Sequence, residues 1–214
     1  MVKLTEEKIQ QALEFAYEKA ITGFTGTDSA AELVEFYKNK YPDSKVEQAN
    51  ALIRGQVAKS AASGFITGLG GLMTIPVTLP ANLVSVLFFQ VRMTVAIAII
   101  GGYDPKDEKI RAASLTCLAG EDMRIFLKEI GMGILKQITL RDVTKQLSSG
   151  TMVRVSRLIG LRLLAKFGSK GLMKFVPVIG GLIGGTVDAV WTRKTGQNAK
   201  SWFIDNPESL VEVE

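Results

Sequence analysis

Histidine is absent from this 214-residue chain and cysteine occurs once. Without imidazole, the reactive candidates that remain include carboxylates and a single thiol. A Ser-His-Asp or Cys-His nucleophile is excluded, and no imidazole is there to shuttle protons near neutral pH. One cysteine builds neither a zinc site with histidine partners nor an internal disulfide, which suits a reducing, cytoplasmic setting. Cys117 sits in the apolar run Leu115-Thr116-Cys117-Leu118, where a small core residue is the expected role rather than a nucleophile. Two acidic groupings remain, Asp104 with Asp107 and Glu108, and Glu121 with Asp122. Acid–base or metal chemistry is open to them. Both stand where helices are expected to begin, and acids stabilise helix N-termini, so capping accounts for them. No catalytic residue, metal or cofactor is expected. No phosphate-binding loop is expected either: Gly68-x-Gly70 lacks a third glycine at Met73, and no strand precedes it.

Arg92 raises a different problem, because it stands in the middle of an apolar helix. An unpaired buried charge is costly. Asp188, the lone acid in a second apolar, glycine-rich stretch, is its expected partner in a buried ion pair. The spacings Gly64-x-x-x-Gly68 and Gly180-x-x-x-Gly184, the latter overlapped by Gly181-x-x-x-Gly185, put small residues on one helix face. Such faces let helices approach closely. They predict tight packing inside the chain, and they also offer a surface for self-association.

The charge is unevenly placed. The net charge is +5, yet the first 47 residues hold six basic and nine acidic groups. Between Asp142 and Asp188 there is no acid, only Lys145, Arg154, Arg157, Arg162, Lys166, Lys170 and Lys174. Apolar residues interleave the basic ones, and Phe167 and Phe175 are the only aromatics of the stretch. Stacking platforms for nucleic acid are thus missing, and no nucleic-acid partner is expected. A basic amphipathic helix over 151–167 fits an anionic membrane surface. The same pattern also describes an ordinary surface helix with its apolar side in a core.

The elements that must position these groups all read as helical. Ile9, Leu13, Ala16 and Ala20 recur at helical spacing over 5–22. Asp28 is read as the cap of a second helix, and Ser44 with Glu47 as a capping box for a third. Residues 60–91 carry no charge. They predict a helix ending near Gly70, a turn through Ile75 to Pro80, then a helix over 81–100. Asp104-Pro105 is read as the next helix start, with Ile110, Ala113 and Cys117 on one face. A last, glycine-rich helix is expected over 178–195. No stretch alternates with period two, so the fold class is all-α: a compact multi-helix domain with a buried hydrophobic helical hairpin. The 81–100 helix is long enough to span a bilayer. However, Gln90 and Arg92 occupy its middle, and a central arginine costs about 3 kcal/mol on insertion. It is therefore read as a core helix, with partial insertion as the rival. The mean hydropathy of +0.20 is high for a soluble chain and keeps the rival open.

Three blocks now stand in order: Gly64-Phe65-Ile66-Thr67-Gly68-Leu69-Gly70-Gly71 through Pro76-Val77-Thr78-Leu79-Pro80; Gln90-Val91-Arg92 with Gly102-Tyr103-Asp104-Pro105; and Pro177-Val178-Ile179-Gly180-Gly181 through Asp188, closed by Gly196. Together they resemble the EcsC family over roughly residues 45–200. The family pattern often has an acid between the two prolines, where this chain has Thr78, so no role is carried over on that acid. The resemblance implies bacterial origin and an association with a transporter operon. It supplies no reaction and no catalytic residues.

The expected organisation is a helical extension over 1–42, an EcsC-like helical domain over 43–204 and a disordered tail over 205–214. No basic start followed by an apolar run opens the chain, so no leader is expected. The expected function is non-enzymatic: peripheral association with the cytoplasmic face of the inner membrane, or binding of lipid or an apolar ligand, through the Gly/Pro-rich hairpin and the basic helix. Contacts are assigned to Arg154, Arg157, Arg162, Lys166, Lys170 and Lys174. The alternatives are a soluble adaptor for an acidic or membrane-protein partner such as a transporter component, and, less well supported, a carboxylate enzyme.

Overall fold

The computed structural model describes residues 5–23, 26–61, 81–122, 140, 155, 157, 159–160 and 181–206. Among these the regular structure is helical apart from an isolated bridge position at Thr27. Helix α1 spans Glu6–Thr22, capped by Thr5, whose hydroxyl accepts from the Lys8 amide at 3.4 Å. Its buried stripe is Ile9, Ala12, Leu13, Ala16, Tyr17 and Ala20, the periodicity expected from the sequence with two more members. Gly23 ends it at φ +71°, a backbone region that favours glycine, while its amide closes on the Lys19 carbonyl at 2.9 Å.

Helix α2 (Ala30–Lys40) is capped by Ser29, not by Asp28. The Glu32 amide donates to Ser29 Oγ at 3.2 Å, and the Ser29 amide donates back to Glu32 Oε2 at 2.7 Å. This reciprocal box needs an acid three residues after the cap, which Ser29 has and Asp28 lacks. Helix α3 (Lys45–Ala61) opens on Ser44, whose hydroxyl accepts from the Glu47 amide at 3.2 Å; this is half of the expected box, because the Ser44 amide donates to the Tyr41 carbonyl at 3.5 Å.

Helix α4 (Ala81–Gly101) is the centre of the fold. It packs against α1, α2 and α3, and against the later helices. Val84, Leu87, Phe88, Val91, Val95, Ile97 and Ala98 are buried around its whole circumference, as expected of a helix that is apolar on every side. Lys45 Nζ donates to the Gly101 carbonyl at 3.0 Å, placing a cation at the negative end of α4. Gly101 packs directly on the Phe203 carbonyl oxygen, and Gly102 takes φ +102° as the chain turns away.

Helix α5 (Glu108–Thr116) starts three residues later than Asp104-Pro105 suggests. Asp107 is the cap, its Oδ1 accepting from the Lys109 amide at 2.7 Å. Asp104 instead holds the preceding turn, its Oδ1 accepting from the Lys106 amide at 2.9 Å. The chain passes from α5 directly into a 3₁₀ segment, Cys117–Asp122. Helix α6 (Gly181–Lys200) continues into a π-helical turn, Ser201–Asp205. It packs along α3, α4 and the 3₁₀ segment. Gly196, which closes the third family block, lies inside it; a Cβ there would stand 2.7 Å from Ile53 Cγ1 of α3. The glycine sets how closely α3 and α6 approach. The first arm of the expected hairpin, 62–80, lies outside the described residues; the second arm, α4, is buried.

Candidate functional site

The polar residues of α4 lie where other helices cross it. Gln90 is buried, and its Nε2 donates to Thr192 Oγ1 of α6 at 2.8 Å. Two residues on, Arg92 is only 3% exposed. Its Nη1 donates to the Asp28 carbonyl at 2.8 Å, just ahead of α2, and its guanidinium lies 5.3 and 5.0 Å from the Phe88 and Phe89 ring centres. Burial pulls the Arg92 pKa down, and the charge of Asp28 and then Tyr37 oppose that pull. An arginine tolerates such a site because its delocalised charge is weakly hydrated and stacks on rings. Asp188 belongs to α6, but its side chain lies outside the described residues, and so does the expected pair with Arg92. The Asp28 carbonyl was missed as a partner because a backbone oxygen leaves no mark in a sequence.

A cleft of about 740 Å³ opens between α1 and the turn before α5. Glu14, Glu18, Lys106 and Arg111 stand at its walls with Phe15 and Tyr17. Arg111 lies 5.1 Å from the Tyr17 ring centre, and the Tyr17 hydroxyl donates to the Pro105 carbonyl at 2.8 Å. Burial is the main cause that raises the Tyr17 pKa well above its ordinary value, against the opposing effects of Ser114 and Arg111. A hydroxyl so held is a poor nucleophile. The thiol of Cys117 is fully buried and its pKa is likewise raised by burial, so it is inert, as the apolar run around it predicts. Asp104 and Asp107 are committed to backbone amides. The side chains of Glu121 and Asp122 lie outside the described residues. Among the described residues no group of three acidic or cysteine side chains is placed to hold a metal.

Of the expected surface contacts, Arg157 is in a helical position and exposed, with Val155 and Ile159 buried on either side of it. That places apolar residues inward and the cation outward over one turn. Arg154, Arg162, Lys166, Lys170 and Lys174 lie outside the described residues, as do Gly64, Gly68 and Gly180; Gly184 is described only as a backbone position of α6.

The model of the EcsC protein family matches residues 1–203. The chain belongs to the EcsC family. The match takes in α1 and α2 as well as the three blocks that carry the resemblance, and both helices share the core of α4. This EcsC-family chain is also similar to an uncharacterized protein, YdbA, of Bacillus subtilis (strain 168). The two are 25% identical over 205 residues, covering 85% of this chain and 72% of the relative. No solved structure matches the chain.

Proposed function

We propose that this EcsC-family chain is a non-enzymatic helical protein that attaches peripherally to the cytoplasmic face of a membrane. Its acid-free stretch between Asp142 and Asp188 meets anionic lipid, while α4 stays in the core. The observation that carries the reading is the burial of α4. Val84–Gly101 is long and apolar enough to cross a bilayer, but 83% of it is buried inside the fold. Among the described residues α1, α2, α3, α5 and α6 all pack against it, which supports a core helix over a spanning one. What the chain offers a membrane is then charge: seven lysines and arginines without an acid among them, the source of the whole net charge. Exposed Arg157 between buried Val155 and Ile159 supports an outward cationic face. The uncharged Gly/Pro segment over 62–80 is the part proposed to dip into the interface or to hold an apolar ligand. The absence of histidine and the buried thiol support a non-enzymatic role.

Vesicle flotation tests the reading. Recovery with anionic vesicles should exceed recovery with neutral ones, and Arg157→Glu, Arg162→Glu, Lys166→Glu in one chain should remove the difference. Equal recovery with both lipids would overturn it. Co-purification with an acidic protein in place of vesicle binding would replace it with the adaptor reading.

A further inference from the structure

Beside the close contact of Gly196 with Ile53, α3 and α6 part to form a notch of about 390 Å³. Asn50 and Arg54 stand one turn apart on α3, and Arg193 and Gln197 one turn apart on α6, so each helix brings one amide and one guanidinium to the same opening. Lys200 and Asp205 complete its lining. These two are satisfied by each other: Lys200 Nζ donates to both carboxylate oxygens of Asp205, at 2.7 and 2.8 Å. The carboxylate of the notch is thereby occupied. Arg54 and Arg193 are exposed and have no acidic partner among the described residues.

Arg54 and Arg193 line the same opening from two helices, so an anion seated there meets positive charge from both sides. The geometry also chooses among anions. A lone carboxylate is satisfied by one arginine fork, whereas two forks with two flanking amides supply more donors than two oxygens can use. A tetrahedral oxyanion, with three or four oxygens, matches them. We propose that this notch is a phosphate-binding site, taking inorganic phosphate or the terminal phosphomonoester of a larger molecule, with Arg54 and Arg193 bridging it from opposite helices. Neither arginine belongs to the acid-free stretch, so the site stands apart from the proposed membrane attachment and neither depends on the other.

Calorimetric titration of the full chain with inorganic phosphate tests it, using Arg54→Gln, Arg193→Gln and the double variant, with Lys194→Gln as a control outside the notch. The wild type and control should show saturable binding. Each single variant should weaken it by about tenfold, the usual scale for a lost charge-assisted hydrogen bond, and the double variant should show none. The double variant folds independently of the ligand: it should melt no lower than wild type in phosphate-free, low-salt buffer. Vesicles doped with phosphatidic acid, a phosphomonoester, compared with vesicles of equal surface charge made with phosphatidylglycerol, a phosphodiester, separate the sources from the charge attraction of the basic stretch. Extra recruitment to phosphatidic acid that is lost in the double variant identifies a lipid headgroup; phosphate binding with equal recruitment to both vesicles identifies a soluble phosphate. Absence of saturable binding in both arms, or a double variant that binds like wild type, would overturn the proposal.

Discussion

Gly196 shows how much one hydrogen in place of a methyl can decide. A glycine inside a helix costs about 0.5–1 kcal/mol relative to alanine, so Gly196→Ala on an isolated helix would stabilise. Here the added methyl meets Ile53, whose Cγ1, Cγ2 and Cδ1 would all lie within 2.7–3.2 Å of it. A buried β-branched side chain has little freedom to withdraw. Overpacking of this kind costs about 1–3 kcal/mol, and the net effect of Gly196→Ala should be destabilising. In the Ile53→Ala background the same substitution should become neutral or stabilising, and urea unfolding of the four variants measures that coupling. The sequence marks Gly196 only as part of a family block, because the neighbour that requires it is more than a hundred residues away. Tyr17 gives a second prediction at this scale. Its pKa is raised by burial from 10.0, so its contribution to stability is whole below pH 10.0 and falls as the pH climbs towards the higher folded value. Over that range it contributes about 1.4 kcal/mol of loss per pH unit. Tyr17→Phe should lose the bond to the Pro105 carbonyl at neutral pH, yet show a shallower decline above pH 10 in alkaline unfolding.

The helices themselves were largely legible. The stripe of α1, the start of α3 and the end of α4 follow from apolar periodicity, a Ser44 cap and the glycine that follows α4, all local signals. The two misplaced starts were errors between neighbouring candidates. Asp28 and Ser29 are both good caps, and only Glu32, three residues beyond Ser29, decides between them. Asp104 and Asp107 divide the work, one closing a turn and the other starting α5. The capping box of α2 is testable: Ser29→Ala should cost about 1 kcal/mol in thermal or urea unfolding. Hydrogen bonds from the Ser29 backbone and side chain lower the Glu32 pKa from 4.5. Its contribution is therefore present above pH 4.5 and fades as the pH falls through the lower folded value. The Ser29→Ala penalty should accordingly shrink in strong acid. Less was legible of the polar side of α4. That Arg92 needs a partner follows from its setting. That it would lie against two aromatic rings and a backbone carbonyl required knowing which helix end crosses it. The notch arginines left a trace only in retrospect, as the repeated amide–arginine spacing of four in Asn50/Arg54 and Arg193/Gln197.

For the whole molecule, one fact governs the functional reading: α4, the longest helix among the described residues, is the hub of their packing. A chain built this way has a membrane-like sequence for reasons of core packing, with its positive mean hydropathy concentrated in the segment that the other helices surround. Its basic charge is concentrated elsewhere in the sequence, in a stretch without acids, and that separation is what supports our proposal of a peripheral electrostatic contact over insertion. The two readings part most clearly on salt. Surface charge attraction is screened within about 3 Å at 1 M ionic strength, whereas a helix inserted in hydrocarbon is indifferent to salt. The decisive measurement is the fraction of chain floating with anionic vesicles as salt is raised after binding. Peripheral electrostatic attachment predicts release of nearly all the chain by about 1 M salt; retention at that salt, reversed only by detergent, would contradict it.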